Sequence, residues 1–253
     1  MIEELQLELT TACNSNCVMC PRSKLNRKGM MKEELAYRII FEAKLRDCKS
    51  VKLEWFGESL LVPYWYRIAE YAKRLGMKTI LITNGSLLNK ENIEHVYNFI
   101  DKISVSVNGY EKSQYEKTMI GLKFDVIIDN LKNLWDKCNK KVKILITSID
   151  TNDNIKKYKN VFGKLSHFII LNKDNVNFEW DKKHREVKCL HKFKERLVVG
   201  CDGKCYLCCH DWLGEYPVGD LGKEGIKEIQ NKKNNIILNN LEICQKCMQS
   251  SEQ

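Results

Sequence analysis

Three cysteines, Cys13, Cys17 and Cys20, lie within one short loop directly after the first predicted strand. A structural zinc site takes four closing ligands, and this loop offers three thiols with no fourth cysteine close by in the sequence. An iron–sulfur cluster of four irons that is held by three cysteines keeps one iron open for a small molecule. We therefore interpret the loop as the site of such a cluster, with a zinc-binding or metal-free loop as the alternative.

A second set of four cysteines, Cys189, Cys208, Cys244 and Cys247, lies near the end of the chain. Cys189 precedes a predicted hairpin, Cys208 ends it, and the last two are separated by two residues. Four thiolates close the coordination of a metal centre, and both a 4Fe–4S cluster and a zinc ion fit this number. The spacing predicts a fully ligated second centre without deciding between the two metals.

Composition limits the class of protein that carries these sites. The chain has 253 residues, of which 43% are hydrophobic and 3 are proline, as in a globular protein. The acidic N-terminus lacks the layout of a signal peptide, and no apolar run approaches the ~18 residues that span a bilayer. Twelve cysteines in such a chain favour metal ligation over disulfides, so we expect a cytoplasmic protein with no membrane partner.

The formal net charge of +9 permits a nucleic-acid partner. The lysines are spread along the whole chain rather than gathered in one stripe. A solvated basic surface is therefore the favoured interpretation, and nucleic acid stays an alternative.

Over the first ~170 residues, short β-branched runs alternate with amphipathic helical patterns. This alternation is typical of β/α units on a parallel sheet, and these units would position the cysteines. Six strands are fewer than the eight of a closed barrel. We predict an α/β fold, a partial (β/α)6 TIM-like barrel that is open on one side. The predicted strands are Glu4–Leu9, Val51–Trp55, Thr79–Thr83, Ile103–Val107, Lys143–Thr147 and Phe168–Leu171, and the predicted helices are Glu33–Leu45, Tyr64–Leu75, Lys90–Phe99, Phe124–Lys137 and Ile155–Leu165.

Beyond the barrel the sequence changes character. We predict three parts: a barrel over 1–172, a linker over 173–188 and a small domain over 189–253. The small domain contains a hairpin of Arg196–Val199 and Lys204–Cys208 around an Asp-Gly turn, followed by a helix near Gly225–Lys233. Within the barrel, Gly76 stands where a helix C-cap is expected.

Polar residues follow the predicted barrel strands where each strand ends. Ligands of parallel α/β folds bind at the carboxyl ends of the strands, so these residues form a pocket hypothesis. They are Gly57, Glu58 and Ser59 after the second strand, Thr83 and Asn84 after the third, Ser104, Ser106 and Asn108 on the fourth, and Thr147 on the fifth.

The C-x3-C-x2-C spacing of Cys13, Cys17 and Cys20 resembles the signature of the radical S-adenosylmethionine (SAM) superfamily. The resemblance extends over the barrel: Gly57 and Glu58 are similar to the core of that family's Gly-Gly-Glu-Pro motif, with Phe56 and Ser59 in place of its first glycine and its proline. It implies a 4Fe–4S cluster on the three cysteines, with SAM bound to the open iron and contacted by the backbone of that motif. It also implies that Met19 lies near the adenine and that the other rim residues are candidates for binding SAM.

The run from Asp202 to Asp211 resembles the start of SPASM and twitch domains. SPASM domains hold two auxiliary clusters, whereas the shorter twitch form holds one on four cysteines. The resemblance therefore implies a twitch domain with one auxiliary 4Fe–4S cluster on Cys189, Cys208, Cys244 and Cys247. In size and cysteine layout the chain is similar to the aminocyclitol (2-deoxy-scyllo-inosamine) dehydrogenases of that subgroup.

Through the family, these sites imply that SAM is cleaved reductively to a 5′-deoxyadenosyl radical that removes a hydrogen atom from the substrate. A fully ligated auxiliary cluster can accept an electron, so oxidation of a sugar-like or aminocyclitol-like small molecule is the first hypothesis, with flavodoxin or ferredoxin as electron donor. The alternatives are a peptide-modifying enzyme that cross-links or epimerises residues, an RNA-modifying enzyme, and a zinc-binding adaptor without catalysis.

Two further groups of side chains have open roles. Cys209, or less directly Cys205, is a candidate hydrogen-atom donor to a substrate radical, although packing is the default expectation for Cys205. Basic residues follow the cluster loop, and we expect them above the barrel mouth, most of them solvated. They are Arg22, Lys24, Arg27 and Lys28.

Overall fold

A computed structural model describes residues 2–149, 154–172, 195–236 and 241–244. The strands are β1 Glu4–Leu7, β2 Ser50–Leu53, β3 Lys78–Thr83, β4 Lys102–Ser106, β5 Lys143–Ile149, β6 Phe168–Asn172, β7 Arg196–Val199, β8 Lys204–Tyr206 and β9 Pro217–Asp220. The helices are α1 Glu33–Lys44, α2 Trp65–Arg74, α3 Lys90–Phe99, α4 Lys112–Thr118, α5 Phe124–Cys138, α6 Ile155–Phe162 and α7 Ile226–Asn234. Single 3-10 turns cover Pro21–Lys24 and Ser59–Leu61.

All nine of these strands form one sheet in the order β6-β5-β4-β3-β2-β1-β7-β8-β9. Strands β1 to β6 pair in parallel with their sequence neighbours. The sheet keeps two edges, β6 and β9, and therefore does not close. The predicted α/β fold with an open, partial barrel is confirmed.

Each barrel strand has one face toward the helices and one toward the concave side of the sheet, because side chains alternate along a strand. On β4, Ile103 and Val105 belong to the main hydrophobic core, whereas Ser104 and Ser106 lie on the opposite face. Helix α1 presents an apolar stripe that includes Ile39 and Ile40 to the same core. Burial of the apolar face thus leaves the polar residues of the strands on the concave side.

The predicted hairpin extends the barrel sheet instead of forming a separate layer. Strand β7 pairs in parallel with β1, with Glu4 opposite Arg196 and Leu7 opposite Val199, and β8 then runs antiparallel to β7. The sequence indicated the hairpin by its turn, but the partner of its first strand depends on a contact between residues far apart in the chain. As a result, the C-terminal segment starts directly beside the strand that leads into the cluster loop.

Two elements were not predicted from the sequence. Helix α4 has seven residues, most of them polar, and its helical period is too short to recognise. Strand β9 contains Pro217 and Gly219, which disfavour a strand assignment. Gly76 has a φ of 73° and directly follows Leu75, the C-cap residue of α2, which is the left-handed position where glycine commonly ends a helix.

Several predictions lie outside the described residues: the linker 173–188, Cys189 and Cys247. Among the residues that are described, no helix is both long enough and apolar enough to cross a membrane.

Candidate active site

The cluster loop is held by main-chain contacts to the segment that follows α4. The amide of Asn16 donates to the carbonyl of Ile120 at 2.9 Å, and the amide of Val18 donates to that of Thr118 at 3.0 Å. The hydroxyl of Ser15 also donates to the Ile120 carbonyl, at 3.0 Å. The loop is therefore shaped by a segment that lies about a hundred residues later in the chain.

Cys13, Cys17 and Cys20 are each partly exposed at this loop. Burial raises the pKa of all three thiols, and the nearby guanidinium of Arg22 acts in the opposite direction. Each thiol also lies within electrostatic reach of another member of the trio, so the three converge on one region. The hydroxyl of Ser15 stands 3.2 Å from Cys17 Sγ, which places a polar group beside a sulfur.

The described residues hold no group of three His, Cys, Asp or Glu side chains that is close enough to bind a single metal ion. A 4Fe–4S cluster makes a different demand, because each cysteine binds a different iron of the cluster. Three half-buried thiols on one loop, with hydroxyl and amide groups beside the sulfurs, fit that demand. Cys13, Cys17 and Cys20 would hold the cluster.

A row of amides joins the cluster loop to the end of β3. The Asn84 Nδ2 group lies 3.9 Å from Cys13 Sγ and donates to Asn14 Oδ1 at 2.9 Å. Asn14 in turn donates to Ser86 Oγ at 2.8 Å. The sequence pointed to Asn84 as a polar residue at a strand end, but the roles of Asn14 and Ser86 emerge from the structure alone.

Gly57 allows the loop after β2 to approach the cluster loop. The amide of Glu58 donates to the carbonyl of Ala12 at 2.8 Å. A Cβ atom on Gly57 would stand 1.8 Å from the carbonyl oxygen of Thr10 and 2.9 Å from that of Ala12. Because both neighbours are main-chain atoms, only glycine fits this position.

We therefore expect Gly57→Ala to displace the loop and to weaken SAM binding together with stability. Overpacking against backbone costs about 1–3 kcal/mol or more, which thermal or urea unfolding would measure. Gly225→Ala is the matched control, because the atom nearest to its added Cβ is Glu42 Oε2 at 3.7 Å, an ordinary contact. Equal unfolding midpoints of the two variants would contradict this explanation.

The side chain of Glu58 is buried and points to the end of β3 rather than into the pocket. Its carboxylate accepts hydrogen bonds from the Thr83 hydroxyl at 2.8 Å, the Asn84 amide at 2.8 Å and the Leu60 amide at 3.1 Å. Burial raises the pKa of this carboxyl, while the three donors lower it. The side chains of Glu58 and Thr83 thus bind each other and hold Asn84, and the contact of these residues with the cofactor stays a prediction. Ser59 is also buried.

The remaining rim residues meet on the concave face of β4 and β5. The hydroxyls of Ser104 and Thr147 are 3.2 Å apart, and Ser106 is partly exposed on the same face. The Asn108 side chain accepts from the Ile149 amide at 2.8 Å. This rim thus presents two partly exposed hydroxyl residues, Ser106 and Thr147, on two neighbouring strands.

Met19 lies where Asn108 can reach it. The Asn108 Nδ2 group is 3.9 Å from Met19 Sδ, and the Asn108 amide is 3.3 Å from Met119 Sδ. Two thioethers therefore lie beside Asn108: Met119 is buried, whereas Met19 is partly exposed and offers a soft side chain on which an aromatic ring packs well. The geometry supports the predicted place of Met19 beside the pocket, and its contact with an adenine stays a prediction.

A family model of the radical SAM superfamily matches residues 7–160, which is more than half of the chain. The chain belongs to the radical SAM superfamily. A second model, SPASM, described as an iron-sulfur cluster-binding domain, matches residues 189–248. The two matches confirm the predicted subgroup and its cofactors, which are SAM and two iron–sulfur clusters.

Relatives and solved structures are consistent with this family. An uncharacterised protein of Methanocaldococcus jannaschii is 28% identical over 179 residues, which cover 68% of this chain and 59% of that protein. An S-adenosylmethionine-dependent nucleotide dehydratase of Flammeovirga pacifica is 28% identical over 120 residues, which cover 45% of this chain and 41% of the dehydratase. The chain thus spans less than two thirds of the length of these curated relatives. The crystal structure of BtrN in complex with AdoMet and 2-DOIA has a TM-score of 0.64 at 16% identity and covers 100% of this chain and 90% of BtrN, which shows a shared fold.

The concave face of this radical SAM barrel carries a charged and polar group of residues that sequence reasoning missed. We call it the lumen cluster: Gln6, Lys52, Glu54, Arg196 and Cys209. Lys52 Nζ and Glu54 Oε1 are 2.6 Å apart, and Arg196 Nε lies 2.6 Å from Glu4 Oε1 at the edge of the cluster. Period-two alternation of polar residues with buried leucine and valine on β1 and β2 was the signal that could have revealed it.

Two features show that the lumen cluster is enclosed. The Gln6 side chain is 1% exposed, and its Oε1 accepts no hydrogen bond from the described parts of the chain. Burial raises the pKa of the Cys209 thiol. The charges of Arg196 and Lys52 lower this pKa, whereas the charge of Glu54 raises it further. The thiol of Cys209 therefore lies near the charged groups of Arg196, Lys52 and Glu54.

Cys205 lies on the other face of the C-terminal segment. Its side chain is fully buried in the main hydrophobic core, and burial raises its pKa far above the ordinary value. The expectation that Cys205 could donate a hydrogen atom to a substrate is corrected, because the core separates it from the lumen. Cys208 and Cys244, two of the predicted auxiliary ligands, are both partly exposed.

The basic residues after the cluster loop do not share one environment. Lys24 and Lys28 are exposed, as expected. Arg22 instead donates to the Asn16 side chain at 2.6 Å and to the Ser15 carbonyl at 3.2 Å, which braces the cluster loop. Arg27 is buried, so its expected solvation is also corrected.

Proposed function

We propose that this radical SAM enzyme oxidises a small molecule rich in hydroxyl or amino groups, of the sugar or aminocyclitol kind. The observation that carries the proposal is the carboxylate of Glu54 in the lumen cluster, which pairs with Lys52 and lies within electrostatic reach of Cys209. Cys209 directly follows Cys208, which we propose as a ligand of the auxiliary cluster. A base and an electron acceptor would therefore lie on the same side of the substrate.

When bound, SAM with the N-terminal cluster supplies a radical that removes a hydrogen atom from the substrate, and the auxiliary cluster supplies an acceptor for one electron. Oxidation of an alcohol to a ketone also releases the hydroxyl proton. Glu54 would take this proton, since its carboxylate oxygens can accept one and its side chain is only 17% exposed. Such a base contributes typically 10²–10⁴-fold to a rate.

The rest of the lumen cluster would bind and orient the substrate. Lys52 and Arg196 donate hydrogen bonds, and the buried Gln6 oxygen accepts one. A molecule that carries both donors and acceptors at short intervals matches this mixed set better than an apolar one. The narrow concave face would also exclude water from the radical.

The residues that hold the cofactors are part of the proposal. Cys13, Cys17 and Cys20 would bind one cluster. Cys208 and Cys244, with Cys189 and Cys247 outside the described residues, would bind the other. Ser104, Ser106, Asn108, Thr147 and Met19 would face SAM, with Gly57, Ser59 and Asn84 shaping the adjoining backbone. We also propose the domain limits 1–172 and 189–253, a flavodoxin or ferredoxin as electron donor, and a cytoplasmic location.

The test is an anaerobic assay of the reconstituted enzyme with SAM and a chemical reductant. Candidate substrates are 2-deoxy-scyllo-inosamine and related polyols, a nucleoside triphosphate, and a cysteine-containing peptide. Both 5′-deoxyadenosine and the oxidised product are measured by mass spectrometry. Stimulation of 5′-deoxyadenosine formation by a polyol, with loss of two hydrogens from it, supports the proposal. Stimulation by the nucleotide or the peptide alone would replace it.

We expect Glu54→Gln to separate the two halves of the reaction. Removal of the base should lower the yield of oxidised product ~10²-fold or more, while 5′-deoxyadenosine still forms. Glu34→Gln, at an exposed position of α1, is the control and should leave both yields at the parent level. Parent-like product from Glu54→Gln would show that another group takes the proton.

A further inference from the structure

The carboxylate of Glu8 and the guanidinium of Arg27 form a buried ion pair between the two cluster-binding segments. Arg27 Nε lies 2.7 Å from Glu8 Oε2, and Arg27 Nη2 lies 3.0 Å from Glu8 Oε1. Arg27 is 7% exposed and Glu8 is 1% exposed. Two parallel charge-assisted hydrogen bonds in a buried place fix direction as well as distance.

Aromatic rings enclose the guanidinium. Its central carbon lies 4.0 Å from the centre of the Trp55 ring, 4.7 Å from that of Tyr206 and 5.8 Å from that of Phe56. Trp55 and Phe56 follow β2, whereas Tyr206 ends β8 of the C-terminal segment. The cation is thus shared between the barrel and the segment that precedes Cys208.

Glu8 also binds both sides of this junction. Its Oε2 accepts from the Cys201 amide at 3.2 Å, and its Oε1 accepts from the Phe56 amide at 3.4 Å. Glu8 lies just beyond β1 and five positions before Cys13. One carboxylate therefore contacts the loop after β2, the turn between β7 and β8, and the arginine that follows the cluster loop.

Arg27 reaches the turn that carries Cys208. Its Nη1 donates to the Trp212 carbonyl at 2.9 Å, and the neighbouring Asn26 donates to the Leu213 carbonyl at 3.1 Å. Asp211 closes that turn, since its amide donates to the Cys208 carbonyl at 3.1 Å. Arg27 and Asn26 thus connect the segment that follows Cys20 with the turn that carries Cys208.

A second bond from the barrel supports the same turn. The indole Nε1 of Trp55 donates to the Cys209 carbonyl at 3.1 Å. The ring that stacks on Arg27 therefore also holds the residue that faces the lumen cluster. A hydrophobic filling of this volume could be equally stable, because buried ion pairs add little stability over apolar residues. What the ion pair adds is orientation.

We infer that Arg27 and Glu8 are positioning residues that set the place of the Cys208–Trp212 turn relative to the Cys13–Cys20 loop. Among the described residues, neither Arg27 nor Glu8 forms a hydrogen bond or ion pair with a member of the lumen cluster. We therefore assign the pair no role as a base or a substrate ligand. Its role is to keep the auxiliary site and Cys209 at a fixed separation from the SAM site. A misplacement of about 1 Å can cost ~10²-fold in rate.

The first test follows hydrogen exchange of backbone amides and needs no substrate. In Arg27→Ala and in the isosteric Glu8→Gln, amides of residues 201–214 should exchange about tenfold faster or more. Amides between β4 and β5, such as Val107, which donates to Thr147 at 2.8 Å, should keep their protection. Arg38→Ala, at an exposed position of α1, is the matched arginine control. Should Arg27→Ala not accumulate as folded protein, Glu8→Gln decides alone.

Chemical rescue tests whether the cation itself is required. Guanidinium chloride at low, non-denaturing concentration should restore protection of residues 201–214 in Arg27→Ala, because the ion fits between Glu8 and the rings. Urea, its neutral analogue, should not. Unchanged exchange in both variants, a uniform rise over the whole chain, or equal rescue by urea would overturn the inference.

The second test rests on the proposed function. The ratio of 5′-deoxyadenosine to oxidised product should rise at least about tenfold in Arg27→Ala and in Glu8→Gln. Guanidinium chloride should lower this ratio again in Arg27→Ala. Loss of folded protein alone would reduce both yields and leave the ratio unchanged. If the parent enzyme forms no oxidised product, the proposed reaction fails while the exchange data still decide the positioning role.

Discussion

Replacing Cys17 by alanine is expected to abolish the cleavage of SAM. Cys17 is the middle member of the trio, partly exposed and 3.2 Å from the Ser15 hydroxyl on a loop held by Thr118 and Ile120. Two remaining thiols cannot replace three ligands of a cluster that must keep one iron open. The variant should lose about four irons per chain and at least ~10³-fold of 5′-deoxyadenosine formation, which corresponds to about 4 kcal/mol.

Iron and sulfide analysis, the brown absorbance of the reconstituted protein and chromatography of 5′-deoxyadenosine measure this result. Cys48→Ala is the control for loss of a thiol, because Cys48 is fully buried and its thiol donates to the carbonyls of Glu3 and Ser50 away from the loop. This control should keep its iron. Cleavage at the parent rate in Cys17→Ala would remove the assignment of the trio.

Replacing Cys208 by alanine is expected to stop product formation while SAM is still cleaved. Cys208 is partly exposed at the turn closed by Asp211, and the next residue faces the lumen cluster. Loss of one of four ligands should empty the auxiliary site and leave the N-terminal cluster in place. The variant should retain about four irons per chain, and its oxidised product should fall ~10²-fold or more.

Cys205→Ala provides the matched control three residues away. Its thiol is packed in the core, so its loss should cost stability of about 1–2 kcal/mol but neither iron nor product. Unfolding in urea and iron analysis distinguish the two variants. A normal product yield in Cys208→Ala would exclude the auxiliary cluster as electron acceptor and turn attention to a redox-neutral reaction.

The barrel could be predicted from the sequence because its signals are local. Short β-branched runs between helical patterns identified the six strands β1 to β6, and the helix between Lys90 and Phe99 has the bounds expected from its pattern. The observed ends of some strands differ from the predicted ends by a few residues, because strand pairing rather than residue propensity decides where a strand stops. Strand β1 ends at Leu7 and β2 ends at Leu53. Pairing of β7 with β1 had no local signal.

The candidate site could likewise be predicted only where its residues are close together in the sequence. Spacing within one loop places Cys13, Cys17 and Cys20 together whatever the rest of the chain does. The orientation of Glu58 was not predictable, because its carboxylate turns to Thr83 and Asn84 on another strand. The environments of Cys205, in β8, and Cys209, in the turn that follows it, likewise needed the tertiary structure.

The sequence by itself determined the three thiols on one loop and the strands that bring their ends to one rim, and the chemistry followed from the family that these motifs resemble. Tertiary structure alone decided which charges are buried. Arg27 looks like any loop arginine in the sequence, and its acceptor on Trp212 lies 185 positions later. Short-range spacing is written in the order of residues, whereas desolvation of a charge depends on every segment that packs around it.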